Sequence, residues 1–443
     1  MKKTAALTAI AAIAATAFGT PATIRKGSVS ATQTASHRMI VNYTLDDGPA
    51  IVTFDVLTNG VSIGGAALSA FTGDINRKVE SGEHAFHWVP TKSWPGMYFP
   101  AGGDVSVSVK VVAWDVDCAP DVMVIDLLTP SNVTYFTSLD GLPGGVQSDV
   151  YKTDKLVLRK IPAEYVTWKM GSPTTESNYN LYIDKRHDVT LTKDYYMGVY
   201  EVTQKQWFNV SGTKPSYFTN EVCWATRPVE NVAYKYDTAV KDVRGNASLS
   251  AGWPNGEDPH AVGANSFFGK LRRHSGLGLL DLPTDAQWEY ACRAGSGGIY
   301  PVEGLAYGAA NAMRFARYVA DGYVDGETEP DQNCTTEHGT AAVGSYEPNA
   351  WGLYDTLGNV SEWCLDVYKT DLTTEPGTDP VGALTENSYY RVHRGGGWKT
   401  RLNTIRCGSR ARYLKADSMQ NDGCYKYWDV FNHIGFRVCL HMQ

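Results

Sequence analysis

From about residue 27 to residue 130, apolar and polar residues alternate with a period of two. Met39–Leu45 (MIVNYTL), Ala50–Leu57 (AIVTFDVL) and Val105–Val111 (VSVSVKV) are the clearest runs. A strand turns successive side chains to opposite faces, so each run predicts a strand with one buried face. Turn signals such as DDGP, NG and SGE separate them, and no helical periodicity of useful length intervenes. Short strands at this spacing predict an all-β sandwich of the immunoglobulin or fibronectin type over 27–130. Residues 131–156, which carry LDGLPGGVQSD, read as a Gly/Pro-bearing linker. From about 157 the pattern loosens into loops rich in Gly, Asn, Trp and Tyr. Two helices are predicted there, Thr203–Val210 (TQKQWFNV) and Thr284–Ala294 (TDAQWEYACRA), where Pro283 precedes a Thr able to cap the helix. Long ordered loops need metal, disulfides or buried Trp to hold them.

The length of 443 residues suggests two or three domains. A net charge of −7 without a basic stripe gives no footprint for nucleic acid. The N-terminus, MKKTAALTAIAAIAATAFGTPA, places Lys2 and Lys3 before a short apolar run ending in small residues, which reads as a signal peptide over 1–22. That run is too short and too weakly apolar for a membrane span, and no later segment approaches one. The expectation is a protein that is secreted, periplasmic or held at the cell surface. Eight cysteines at irregular spacing, none in a CxxC, disfavour a zinc ribbon or a redox motif.

The second region carries a series of blocks in a fixed order. These are MGSP (Met170–Pro173), VTLTKDYYMGVYEVTQKQW (Val189–Trp207), LPTDAQWEYACRAG (Leu282–Gly295), NAWGLYDTLGNVSEW (Asn349–Trp363), RVHRGGGW (Arg391–Trp398) and IGFRV (Ile434–Val438). Together, over 157–440, they resemble the formylglycine-generating-enzyme, or sulfatase-modifying factor, family. The resemblance implies an α+β, C-type-lectin-like fold with few regular elements.

In YDTLGNVSEW, Asp355 and Glu362 bracket the Gly358-Asn359 turn, so carboxylates and main-chain carbonyls can converge on one point. That donor set suits calcium, a hard cation taking six to eight oxygens. The family's calcium site falls on this block. Carried over, it gives Asp355, the carbonyls of Gly358 and Val360, and Glu362 as ligands. The resemblance also places a structural disulfide at Cys292 and Cys407.

The chemistry that founded the family needs a pair of active-site cysteines just after the GG-aromatic segment, where soft thiolates select Cu(I). Here that stretch reads GGGWKTRLNTIRCGSR, with Thr400 where the first cysteine should stand. A hydroxyl cannot replace a thiolate as a soft ligand, so copper-dependent formylglycine formation is not expected. Non-haem iron enzymes of the same fold use histidines, and only His393 and His433 fall near the expected pocket, with no carboxylate partner evident; iron is the alternative cofactor. Gly60–Gly64 (GVSIG) matches the GxSxG nucleophile elbow formally, but lies in an alternating strand pattern after an Asn-Gly turn rather than between a strand and a helix. Tyr413–Phe431 interleaves aromatics with adaptable polar residues, a composition suited to binding a glycan, peptide or protein. Trp398, Thr400, Tyr413, Tyr425, Tyr427 and Trp428 are the ligand-binding candidates. Two functions follow: a calcium-stabilised secreted recognition module, or a metal-dependent oxidoreductase with a rearranged site.

Overall fold

A computed structural model describes residues 5–13, 21–34, 36–63, 70–93, 105–177, 179, 185–235, 241–245, 261–318, 339–368, 377–381, 391–411 and 431–442. The chain divides into two compact units, Met1–Val124 with Val133–Ser148, and Ile125–Asn132 with Asp149–Gln443. Residues 131–156 are therefore not a bare connector. Val133–Phe136 is a strand of the first unit, with Tyr135 N donating to Asn76 O at 2.8 Å. Val150–Thr153 is a short helix of the second.

The first unit holds two five-stranded sheets. In one, Val105–Trp114 lies between Ala5–Ile13 and Ala50–Thr58, and the last also pairs Val61–Ser62 and Arg77–Val79. Ala5–Ile13, inside the expected signal peptide, runs parallel to Val105–Trp114. The other is built on Met39–Asp46 against Gly82–Trp88, flanked by Thr23–Ile24, Ser30–Gln33 and Phe71–Gly73. The alternation reads directly into burial: Met39, Val41, Tyr43 and Leu45 face one cluster that also takes in Val52, Val56, Phe86, Trp88, Val107 and Val111. Asn59 and Gly60 both have positive φ in the two-residue hairpin Thr58–Val61. The GVSIG motif thus starts in a β-turn, not at a nucleophile elbow.

The second unit is mixed α/β, with many short strands and few helices. One sheet contains Lys155–Ile161, Tyr195–Gly198, Cys439–His441 and Leu280–Asp281 in that order. Another sets Ser361–Val367 between Arg391–Arg394 and Ile434–Gly435. Both predicted helices form, as Gln204–Ser211 and Asp285–Arg293. Each opens on a reciprocal capping box, Thr203 with Gln206 and Thr284 with Gln287, which satisfies two otherwise orphaned N–H groups. A third helix, Phe267–Ser275, is capped by the Ser266 side chain and stopped by Gly276 at φ 78°. Its Phe267 stacks on Trp207 at 5.1 Å and meets Phe436 edge-on, also at 5.1 Å. The rings join the helices to the segment that carries Arg437.

Candidate functional site

The centre of the second unit is an ion network threaded through the sequence blocks. Arg394 is fully buried. Its Nε donates to Asp285 Oδ1 at 2.5 Å, its Nη2 to Glu289 Oε2 at 3.0 Å, and its Nη1 to Ser409 O at 3.1 Å. Arg410 Nε takes the other oxygen of Asp285 at 2.7 Å, and Arg293 Nε takes Glu289 Oε1 at 2.8 Å. Burial alone would raise both carboxyls. The facing arginines outweigh it and hold Asp285 and Glu289 below the ordinary range. The network clamps the helix Asp285–Arg293 to the strand Arg391–Arg394 and to the turn that follows.

A second cluster surrounds the Gly358-Asn359 turn. Arg437 grips Glu362 with both arms of its fork, Nη2 to Oε1 at 2.5 Å and Nε to Oε2 at 2.6 Å, and Trp288 Nε1 adds a bond to Oε2 at 2.7 Å. Glu201 accepts from Val360 N at 3.0 Å and from Asn359 Nδ2 at 2.7 Å. Asp355 accepts from Gly344 N through Oδ2 at 2.6 Å, while its buried Oδ1 has no partner among the described residues. Burial pushes the Asp355 carboxyl up to about 6. Burial, with Asp355 and Glu362 nearby, pushes Glu201 well above the carboxylate range. The backbone here is tightly determined. Asp355, Gly358 and Asn359 have φ of 53°, 77° and 57°, and a Cβ on Gly358 would lie 2.6 Å from Arg317 N and closer still to Arg317 O.

Of the expected calcium ligands, Asp355 keeps an available oxygen and Gly358 and Val360 flank the same turn. Glu362 differs: both its oxygens are committed to Arg437 and Trp288. The donors fit a hard cation on the Asp355 side of the turn and fit it poorly at Glu362. Among the described residues, no group of three or more His, Cys, Asp or Glu is arranged to hold a metal.

The cysteine expectation needs correction. Cys292, on the helix Asp285–Arg293, and Cys407, after the Leu402–Thr404 turn, do meet, but as free thiols. Burial, followed by the hydrogen bond with Cys292, pushes the Cys407 thiol well up, which keeps it protonated and unreactive. Cys223, for which no pairing was predicted, is disulfide-bonded.

Two of the ligand-binding candidates are buried. Trp398 is 2% exposed, with its indole N–H donating to Asn432 O at 2.8 Å and Phe218 edge-on at 5.5 Å, so its ring is packed in the interior. Thr400 is 4% exposed. Its hydroxyl oxygen accepts from Gly397 N at 2.8 Å, while its own N–H donates to Gly397 O at 2.8 Å, closing the turn where the first thiolate would stand. Tyr413, Tyr425, Tyr427 and Trp428 lie outside the described residues. His393 and His433 are buried close enough to interact electrostatically, and burial lowers both to about 3, leaving neutral imidazoles. Pattern reading missed Glu201 and Arg437. The signal for both was present, a charged residue inside an otherwise apolar block, YEV and GFR.

A strand-rich α/β unit held by buried arginine–carboxylate pairs thus spans the blocks, and residues 159–438 match the sulfatase-modifying factor enzyme 1-like domain. The chain belongs to that family. It is 32% identical over 241 residues to the "Chaperone protein LppX" of Paenibacillus barcinonensis, covering 52% of this chain and 76% of that one. It is 39% identical over 153 residues to the formylglycine-generating enzyme of Streptomyces coelicolor, covering 32% of this chain and 44% of the enzyme. It is 28% identical to the serine/threonine-protein kinase pkn1 of Chlamydia pneumoniae over 51% of this chain, but spans only 31% of that protein. Among solved structures, PvdO from Pseudomonas aeruginosa is similar at a TM-score of 0.45 and 23% identity, over 64% of this chain and 94% of PvdO. Treponema denticola variable protein 1 is similar at 0.44 and 24%, over 65% and 95%.

Proposed function

We propose that the chain is an exported recognition protein. In this reading a calcium-stabilised, C-type-lectin-like domain displays a binding surface, and the N-terminal unit is an immunoglobulin- or fibronectin-like sandwich. Thr400 carries the proposal. At the position of the first copper thiolate it offers a buried hydroxyl whose oxygen already serves the turn at Gly397. The scaffold is kept while the soft ligand is gone. Calcium is supported by charge: Glu201, Asp355 and Glu362 interact with one another in the interior, against Arg437 and Lys152. Three carboxylates facing two cations leave one in excess, which must either hold a proton or bind a further cation. The occupant of the recognition surface is taken to be an extracellular glycan, peptide or protein, contacted by the aromatics at Tyr413, Tyr425, Tyr427 and Trp428.

The test is elemental analysis of the purified mature protein, with melting followed with and without added calcium. About one calcium per chain, a higher Tm with calcium, and loss of both in Asp355→Asn are expected. Stoichiometric copper, or a melting point indifferent to calcium, would overturn the reading. The iron alternative draws on the neutral, adjacent imidazoles of His393 and His433. It would prevail if the protein carried stoichiometric iron that a His393→Ala/His433→Ala variant lost.

A further inference from the structure

In the N-terminal unit, the strand Val105–Trp114 lies between Ala50–Thr58 on one side and Ala5–Ile13 on the other, and among the described residues it pairs with these two strands alone. The pairing with Ala5–Ile13 is parallel and unbroken, from Ala5 opposite Val105 to Ile13 opposite Ala113. Ala5–Ile13 falls inside the segment 1–22 that export would remove. Once it is gone, Val105–Trp114 becomes the edge of its sheet, and the main-chain N–H and C=O groups that served the leader turn outward. Such an edge is a template for another strand.

Edges that stay single are protected by Pro, bulges or charged side chains. Val105–Trp114 (VSVSVKVVAW) has no Pro and one charged residue, Lys110. Its register against Ala50–Thr58 runs without a bulge from Val107 opposite Thr58 to Trp114 opposite Ile51, and sets Lys110 opposite Asp55. The one charge on the strand thus already faces an opposite charge on the inner side. Val107, Val109, Val111 and Ala113 are wholly buried in the core cluster, which leaves Ser108, Lys110, Val112 and Trp114 on the other face. Trp114 is fixed there by its indole N–H, which donates to Thr53 Oγ1 at 2.8 Å.

The strand is complementary to itself. Two copies set antiparallel about a twofold axis at Val109 bring Val107 opposite Val111, Val105 opposite Ala113 and Ser108 opposite Lys110. Apolar residues then stay on the core side, and no like charges meet across the pair. Moving the axis one residue, to Lys110, would set the two ammoniums face to face. We propose, resting on the export reading above, that the mature chain pairs edge to edge with a second copy of itself along Val105–Trp114, an edge that the leader strand covers until it is removed.

The test is sedimentation velocity of the exported chain over a wide range of concentration, with its N-terminus first fixed by mass spectrometry. A chain that has lost residues 1–22 should dimerise. Hydrogen exchange of the outward amides of Val105–Trp114 should be slower where the dimer is populated than at dilution. Ser108→Lys puts an ammonium opposite Lys110 of the second copy, twice per dimer, and should weaken association about fivefold or more. Ser108→Asp puts an opposite charge there and should not weaken it. An exported chain that still begins at Met1 would overturn the export reading and the pairing with it. A chain shortened as expected that stays monomeric would overturn the pairing alone. So would a dimer that leaves those amides unprotected, or one that Ser108→Lys and Ser108→Asp affect alike.

Discussion

Replacing Arg394 with Met should be among the most damaging single changes in the second unit. The side chain is wholly buried and holds two carboxylates and a carbonyl at once. Met keeps the apolar stem volume but leaves Glu289 Oε2 and Asp285 Oδ1 without their donors. Removing one partner of a buried pair costs about 3–5 kcal/mol, because the charge left behind stays desolvated. Here the remaining partners, Arg410 on Asp285 and Arg293 on Glu289, absorb part of that, which places the expected loss near the lower end. The assay is denaturant unfolding followed by near-UV circular dichroism, with Arg394→Lys as a control that restores charge but not the fork. The pH dependence adds a second check. Asp285 and Glu289 have depressed pKa values in the fold, so their contribution is present above the unfolded carboxylate range of about 4 and is lost as pH falls through the folded values. In Arg394→Met the folded values relax upward, so the gap between variant and parent should shrink as the pH is lowered below about 4. A loss under about 1 kcal/mol at neutral pH, or a gap independent of pH, would refute the reasoning.

Gly358→Ala should destabilise by about 2 kcal/mol or more, since a Cβ meets the Arg317 backbone and φ is 77°; a thermal melt checks it. Thr400→Val should cost about 1–2 kcal/mol by stranding the Gly397 N–H, whereas Thr400→Ser should be tolerated; paired melts distinguish the two. Cys292 and Cys407 should resist iodoacetamide in the native protein and both alkylate after unfolding without reductant. A mass spectrum showing neither alkylated would mean they are bridged. Thr284→Ala should cost about 1 kcal/mol through loss of the capping box, read in the same unfolding assay.

What could be read from the chain beforehand was whatever local chemistry decides. Alternation placed the buried face of Met39–Asp46, and the Thr203 and Thr284 caps placed two helices. The third helix, Phe267–Ser275, was missed because only Phe267, Phe268 and Leu271 mark its apolar face among Lys and Arg residues, although Ser266 and Gly276 marked both ends. Pairings distant in sequence were not legible. Arg394 with Glu289 is 105 positions apart and Arg437 with Glu362 is 75, and no spacing rule joins them. Burial was misjudged for the same reason. Trp398 reads as a recognition aromatic in isolation, yet Phe218 and Asn432, far away in the chain, enclose it.

The two buried clusters of the second unit differ in how completely their charges are matched. Around Arg394, Arg293 and Arg410 face Asp285 and Glu289, with every carboxylate oxygen engaged. Such a network leaves no carboxylate oxygen for a further cation. Around Asp355 the carboxylates exceed the cations, one oxygen is left over, and burial opposes ionisation. That cluster is complete only with a proton or another cation. The thiolate position at Thr400 belongs to neither. It is a turn closed by two reciprocal bonds with Gly397, so exchanging a thiol for a hydroxyl there leaves both clusters intact. The bonds of the Thr400 turn are thus separate from the ion pairs that hold the fold together.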